Sequence, residues 1–357
     1  MDIDSWKLVN LCCRVIWSVG NMPCYHPLLA VDTGRTPEGK KIVKFLGYTP
    51  KDSDKSILMD GHFYDRSKLL QIPCGQCVGC RLEYSRQWAN RCMLELQYHD
   101  SAYFATFTYD DVHVPRTAYG DPETGEAIPA LTLDKRDFQL LMKRIRKRFS
   151  DDKIRFFMSG EYGSRTYRPH YHAILFGLHL SDLTVYKTVK EGGQYYTYYN
   201  SPSLQACWPK GYVVVGQVTW ESCAYTARYV MKKLKGAEAK FYEDHNIVPE
   251  FTLMSRKPGI ARQYYDEHPE LYTQPNPEII ISTEKGGKKF RPPKYFERLF
   301  ENENPELAEE FREFRKVMAS NAEASRLSRT SLDAQEYRRV QESALEARLK
   351  SLRRGVE

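Results

Sequence analysis

The chain has 357 residues and 41% hydrophobic content, enough for one large domain with additions or for two modest ones. Its formal net charge of +7 mildly favours an anionic partner such as nucleic acid but falls short of histone-like basicity. Nine cysteines form an odd number without disulfide-scaffold spacing, which argues for a reducing compartment and against a secreted, cross-linked fold.

The longest early apolar run, Leu8 to Val19, is broken by Asn10 and Arg14, so it is too short and too polar to span a membrane. It also lacks the small-residue cleavage site of a signal peptide before Cys24. Residues 1–21 read as an N-terminal extension ahead of Met22-Pro23-Cys24-Tyr25-His26-Pro27. Residues 22–100 form a cysteine-rich segment and a helix. Asp32 to Leu70 is rich in Gly, Lys and Asp, with short strand-like pieces such as Lys41 to Phe45. Then Cys74, Cys77 and Cys80 follow at successive CxxC spacing, with Gly75 and Gly79 permitting tight turns. That pattern suits tetrahedral thiolate coordination of a structural Zn²⁺, with the fourth ligand open among Cys24, His26 and Cys92. Reduced structural thiols are the alternative. Arg81 to Tyr98 reads as a helix with Leu82, Trp88, Cys92 and Leu96 apolar and Arg86 and Arg91 basic.

Residues 101–300 hold the chemistry. Tyr103 to Tyr109 has the β-branched and aromatic content of a central strand. Residues 114–130, punctuated by proline and glycine, read as a long loop. Thr132 or Asp134 caps a helix in which Phe138, Leu141, Met142 and Ile145 recur at helical spacing. Its other face carries Lys143, Arg144, Arg146, Lys147 and Arg148, which is either a solvated face or a set of phosphate contacts to DNA. Next, SGEYGSRTYRPHYHAILFG spans Ser159 to Gly177. On a strand, His170 and His172 point to one face and Tyr171 to the other, so two imidazoles are placed for a shared divalent metal. Ile154 to Ser159 reads as a second strand. If the two pair through the loop that includes Pro169, Glu161 supplies a third, carboxylate ligand.

Residues 180–200 form a polar, tyrosine-rich insert, and Tyr212 to Val218 reads as a strand buried on both faces. Glu221 to Lys235 is helical by propensity. Tyr225 and Tyr229, four apart, share a helical face, and Lys232 and Lys233 follow within a turn. Either tyrosine alone is more simply a packing aromatic; the pair beside lysines, downstream of the two histidines, is a different object.

These three constellations, in this order, resemble the HUH endonuclease superfamily, specifically the rolling-circle replication initiators of gokushovirus-type microviruses. The matching residues are Phe104 to Tyr109, Pro169-His170-Tyr171-His172, and Tyr225 through Lys233. The Met22 to Pro27 opening, the Cys74 to Cys80 cluster and Met254 to Ile260 are also similar, so the resemblance covers roughly residues 22–300. Arg228 stands where related two-tyrosine proteins can carry lysine, while Tyr229-Val230-Met231-Lys232 keeps the Tyr-x-x-Lys form.

The resemblance implies a metal-dependent, site-specific single-strand DNA endonuclease that nicks and rejoins viral DNA at its replication origin. Tyr225 and Tyr229 would be the nucleophiles of a 5′-phosphotyrosine intermediate, with Lys232 steadying the phenolate or phosphate. His170, His172 and Glu161 would hold Mg²⁺ or Mn²⁺. Single-stranded origin DNA and the host replication helicase and polymerase are the implied partners, in the host bacterial cytoplasm, with no membrane. The expected fold is α+β, an antiparallel sheet carrying the HUH motif with flanking helices and a helical C-terminal tail. Residues 301–357 read as that charged tail, helical or partly disordered. No Gly-rich nucleotide loop is seen, so no helicase domain is expected. A plasmid or transposon HUH nickase is the alternative within the superfamily. Outside it stands a non-catalytic zinc-dependent nucleic-acid-binding protein, which needs the cysteines and the basic face but not both tyrosines.

Overall fold

The structure is a computed structural model that describes residues 24–37, 41–48, 56–59, 61–65, 68–163, 166–191, 194–229, 236–283 and 286–353. The described residues fall into two compact units, one built from 84–318 and the other from 24–83 with 319–353.

In the second of these units, β1 (Leu28–Arg35) lies between β2 (Lys41–Tyr48) and, further along the chain, β5 (Leu70–Ile72), both antiparallel to it. Leu29 and Leu46 form its small core, with Val31, Tyr64 and Leu69 packed against them. β3 (Ser56–Met59) and β4 (His62–Asp65) make a hairpin turning at Gly61, whose φ of 76° is a conformation that glycine adopts without steric cost. Helix α1 (Val78–Leu96) follows the cysteine turns.

The larger unit is organised by a seven-stranded antiparallel sheet. In chain order its strands are β6 (Ala102–Tyr109), β9 (Arg155–Tyr162), β10 (Pro169–Phe176), β11 (Thr184–Glu191), β12 (Gln194–Asn200), β13 (Gly211–Gln217) and β14 (Phe251–Met254); the hairpin strands β7 (Arg116–Gly120) and β8 (Ala127–Leu131) and helix α2 (Lys135–Arg148) intervene. The spatial order is β11-β12-β13-β6-β10-β9-β14. β6 and β10 sit near the middle, and Phe104 to Phe107 are all buried, because helices cover both faces. The opposite-face side chains Phe107, Met158, Tyr171 and Val213 pack against Phe138, Leu141, Met142 and Ile145 of α2 and against Trp208. On the other face lie α1, where Trp88 stacks on Phe157 at 4.5 Å, and α3 (Trp220–Tyr229). Asp134 caps α2, its side chain accepting from the Arg136 N–H at 2.7 Å.

Helix α4 (Lys294–Glu303), reached through the β15 (Ile279–Thr283) and β16 (Gly286–Phe290) hairpin, contributes Phe296 and Phe300 to a second aromatic cluster with Tyr264, Tyr265 and Tyr272. The chain then continues as α5 (Pro305–Leu327) and α6 (Ala334–Arg353), so the charged tail is helical through Arg353. Three sequence expectations are corrected. Residues 114–130 contain the β7–β8 hairpin rather than a plain loop, the tyrosine-rich insert is the β11–β12 hairpin, and Tyr212 of β13 is 67% exposed.

Candidate metal and tyrosine site

The strand registers build the site. β10 pairs with β9 so that His170 faces Glu161 and His172 faces Ser159, and with β6 so that His170 faces Thr108 and His172 faces Thr106. Because alternate residues of neighbouring strands share a face, Glu161, His170, His172, Thr106 and Phe104 all lie on one side of the sheet. Tyr171 points the other way. Its hydroxyl donates to the Asp134 carbonyl at 2.6 Å and meets the Tyr109 hydroxyl at 2.7 Å, tying β10 to the start of α2.

One carboxylate oxygen collects both imidazoles. Glu161 Oε1 lies 2.7 Å from His170 Nε2 and 2.8 Å from His172 Nε2. Burial alone would push the Glu161 carboxyl up, but the charge and hydrogen bonds of His170 and His172 outweigh it and hold the group at about 2. The far ring nitrogens are also occupied: His170 Nδ1 sits 3.0 Å from the Arg168 carbonyl, and His172 Nδ1 sits 2.9 Å from Thr106 Oγ1. A carbonyl only accepts, so His170 Nδ1 carries a proton and, in the neutral imidazole, its Nε2 lone pair faces Glu161.

This donor set fits a divalent metal. The three ligand atoms lie within 4.8 Å of one another, and two neutral imidazoles with a carboxylate are ordinary ligands for Mn²⁺-like ions. His172 and Glu161 are almost fully buried while His170 is 18% exposed, so the site opens on the His170 side. The row across the sheet there is Tyr212, Thr108, His170 and Glu161, in register from β13 to β9. One row deeper, the site is roofed by aromatics. Phe104 stacks on His172 at 5.5 Å, and the Tyr225 ring stands edge-on to His172 at 5.1 Å.

Tyr225 is 4% exposed and is carried there by α3. Neighbouring Ser222 to Ala227 are buried, and Trp220 Nε1 donates to Asn90 Oδ1 of α1 at 3.0 Å, while Ser85 Oγ of α1 donates to the Ala224 carbonyl at 2.8 Å. Tyr229 ends α3, and its side chain lies outside the described residues, as do Lys232 and Lys233. The basic positions of α2 are not brought to this site. Lys143, Arg146, Lys147 and Arg148 are exposed on the helix that covers the opposite face of the sheet. Arg144 donates through Nε to the Cys207 carbonyl at 2.8 Å. Arg91 of α1 is likewise a packing residue, sandwiched 4.1 Å from both Trp88 and Tyr295.

Thr106 and Arg168 were not singled out by sequence reasoning. Thr106 was available from the two-residue alternation of β6 opposite His172, whereas Arg168 acts through its backbone carbonyl, which no side-chain pattern reports.

A second cluster lies in the smaller unit. Cys24, Cys74, Cys77 and Cys80 converge, their sulfurs within 4.8 Å of one another. Cys92 is excluded from this set: it is buried in the larger unit beside Cys223, and burial pushes its thiol well up. His26 pairs instead with Glu342 at 2.6 Å.

A family model described as replication-associated protein ORF2 matches residues 102–234, a span that holds Glu161, His170, His172 and Tyr225 and leaves the cysteines outside. The chain belongs to a family of phage replication-associated proteins whose members include those of microviruses. It is 34% identical over 287 residues to the replication-associated protein ORF2 of Spiroplasma virus 4, covering 79% of this chain and 81% of that one. It is also 27% identical over 242 residues to the replication-associated protein VP4 of Bdellovibrio phage phiMH2K, covering 66% and 69% of the two chains. With the replication-associated protein ORF4 of Chlamydia phage 1 the identity is 31% over 188 residues, or 49% and 41% of the two chains. No solved structure matches. Among the described residues no helix is long and apolar enough to cross a membrane.

Proposed function

We propose that this protein initiates rolling-circle replication by nicking and rejoining single-stranded viral DNA at the origin, with a tyrosine as nucleophile. The observation that carries the reading is the Tyr225 ring 5.1 Å from His172, whose Nε2 shares the Glu161 carboxylate with His170. A tyrosine beside a two-histidine, one-carboxylate centre is the combination that transesterification of a phosphodiester needs.

Glu161, His170 and His172 would hold Mg²⁺ or Mn²⁺. When bound, such an ion supplies Lewis-acid polarisation of a phosphate oxygen. The remaining work belongs to the chain. Thr106 and the Arg168 carbonyl orient the two imidazoles, and Phe104 excludes water from the His172 side. DNA enters at the open His170 row, where the exposed Tyr212 ring offers a stacking face for a base. The tyrosine oxygen bonds to phosphorus, the phosphorus–O3′ bond breaks, the phenol proton is released, and the departing 3′ oxygen takes up a proton. No oxidant and no water are consumed, and the ester keeps the bond energy for rejoining. The freed 3′ hydroxyl is a primer for a host polymerase, with a host helicase opening the duplex, which places the reaction in the bacterial cytoplasm. Tyr229 and Lys232 are the second nucleophile and its cationic neighbour in this reading.

Incubating the full chain with Mn²⁺ and single-stranded oligonucleotides tiled across the viral genome tests the reading. The expected product is a DNA–peptide adduct on Tyr225 or Tyr229, absent from the Tyr225→Phe, Tyr229→Phe double variant. An adduct on another residue, or undiminished nicking by the His170→Ala, His172→Ala variant, would overturn it.

A further inference from the structure

We infer that Cys24, Cys74, Cys77 and Cys80 form a closed structural zinc site that ties the start of the first strand to the start of α1. The proposal is independent of the nicking reading, and the cysteines lie outside the residues that the family model matches. Its basis is geometric. Four sulfurs lie within 4.8 Å of one another, and tetrahedral zinc with ~2.3 Å bonds to sulfur asks for sulfurs about 3.8 Å apart.

Backbone amides already treat these sulfurs as acceptors. Cys24 Sγ accepts from the Cys74 N–H at 3.2 Å, and Cys74 Sγ accepts from Gln76 and Cys77 at 3.4 and 3.3 Å. Cys77 Sγ accepts from Tyr25 and Cys80 at 3.4 and 3.5 Å. Amides aimed at sulfur favour the thiolate, which is the form that binds metal. Gly75, with φ of 71°, makes the turn between the first two ligands of the run. No carboxylate or imidazole joins the cluster among the described residues, and a four-thiolate set selects a soft, tetrahedral ion over Mg²⁺ or Ca²⁺.

The smaller unit needs such a clamp. Its buried apolar core is Leu29 and Leu46 with three partners, too little to fix the long connection between β2 and β5. The β1–β5 register explains how a cysteine 50 residues upstream arrives: continuing the ladder four residues past Leu28↔Ile72 puts Cys24 opposite Gln76, inside the first CxxC.

The test uses the full chain carrying His170→Ala and His172→Ala, so that the histidine site contributes no zinc. Elemental analysis after purification without chelator is expected to give about one zinc per chain. Adding Cys24→Ser should remove it, while adding Cys92→Ser should leave it in place. If Cys24→Ser fails to fold, cobalt substitution of the Cys24-containing chain decides instead, through the intense sulfur-to-cobalt charge transfer of a four-thiolate tetrahedral centre. Folded protein without zinc, iron in its place, or a zinc retained by Cys24→Ser and lost by Cys92→Ser would each overturn the proposal.

Discussion

At the scale of single residues, the candidate site depends on groups that bind nothing themselves. Thr106 Oγ1, 2.9 Å from His172 Nδ1, holds the ring so that Nε2 points at Glu161. It is buried, so its replacement leaves a ring nitrogen that water cannot easily reach. Thr106→Val keeps the shape and removes only the hydroxyl. Mn²⁺ affinity, read by a titration, is expected to fall about 10- to 100-fold, as for loss of other groups that orient metal-ligating histidines. Cleavage by this variant should recover at high Mn²⁺, and Thr106→Ser should restore ordinary affinity. A variant whose titration matches wild type would show that the hydroxyl does not position His172.

At the scale of elements, the strands and helices that carry chemistry were legible in the sequence because their patterns are local. β6, β10 and α2 announce themselves by β-branched runs or by apolar residues at helical spacing, and the facing of His170 and His172 follows from alternation alone. What was not legible depended on pairing. Pro129 and the glycines at 120 and 125 disguise the β7–β8 hairpin, yet this is a two-stranded hairpin where an edge proline removes little. Tyr212 looked buried because its strand is Val-rich. Its neighbour β12 pairs with β13 only at Tyr199↔Val215, which leaves the Tyr212 end uncovered. Cys24 became the fourth thiol only through the β1–β5 register.

The joint between α1 and the sheet was equally hidden, and it carries a pH dependence. Glu95 of α1 is buried, accepts from the Ala261 N–H at 2.6 Å, and pairs with His99 and with Arg155 of β9. Burial would raise its carboxyl, but the hydrogen bonds from His99 and Ala261 and the charge of Arg155 bring it below the usual 4.5. A depressed carboxyl adds stability that is present above the unfolded value and is lost as pH falls through the folded one. Glu95→Gln is therefore expected to cost about 3 kcal/mol at pH 7, since it strands Arg155. In urea melts that gap should narrow progressively below pH 4.5. A gap independent of pH would mean that packing, not charge, is what the glutamate supplies.

At the scale of the whole molecule, the formal net charge of +7 does not say where DNA binds, because the most concentrated basic run lies behind the sheet. Lys143, Arg146, Lys147 and Arg148 project from α2, whose apolar side packs on Phe107, Met158 and Tyr171, while the histidines and Tyr225 occupy the other face. A short strand spanning the His170 row has no path to these cations except around the sheet edge. A long strand can take that path, and each phosphate neutralised there releases counterions. Alanine at the four exposed positions, sparing Arg144, should therefore leave single-turnover cleavage of a short, saturating oligonucleotide within about twofold of wild type. For long single-stranded DNA the same variant should bind with a salt slope shallower by up to about 3, at ~0.7 per lost contact. Filter binding across a salt series measures the slope, and a quenched cleavage assay measures the rate. A large fall in short-oligonucleotide cleavage would put the helix face in the site after all. An unchanged slope on long DNA would leave α2 as a solvated face, its charges serving only to keep the protein soluble.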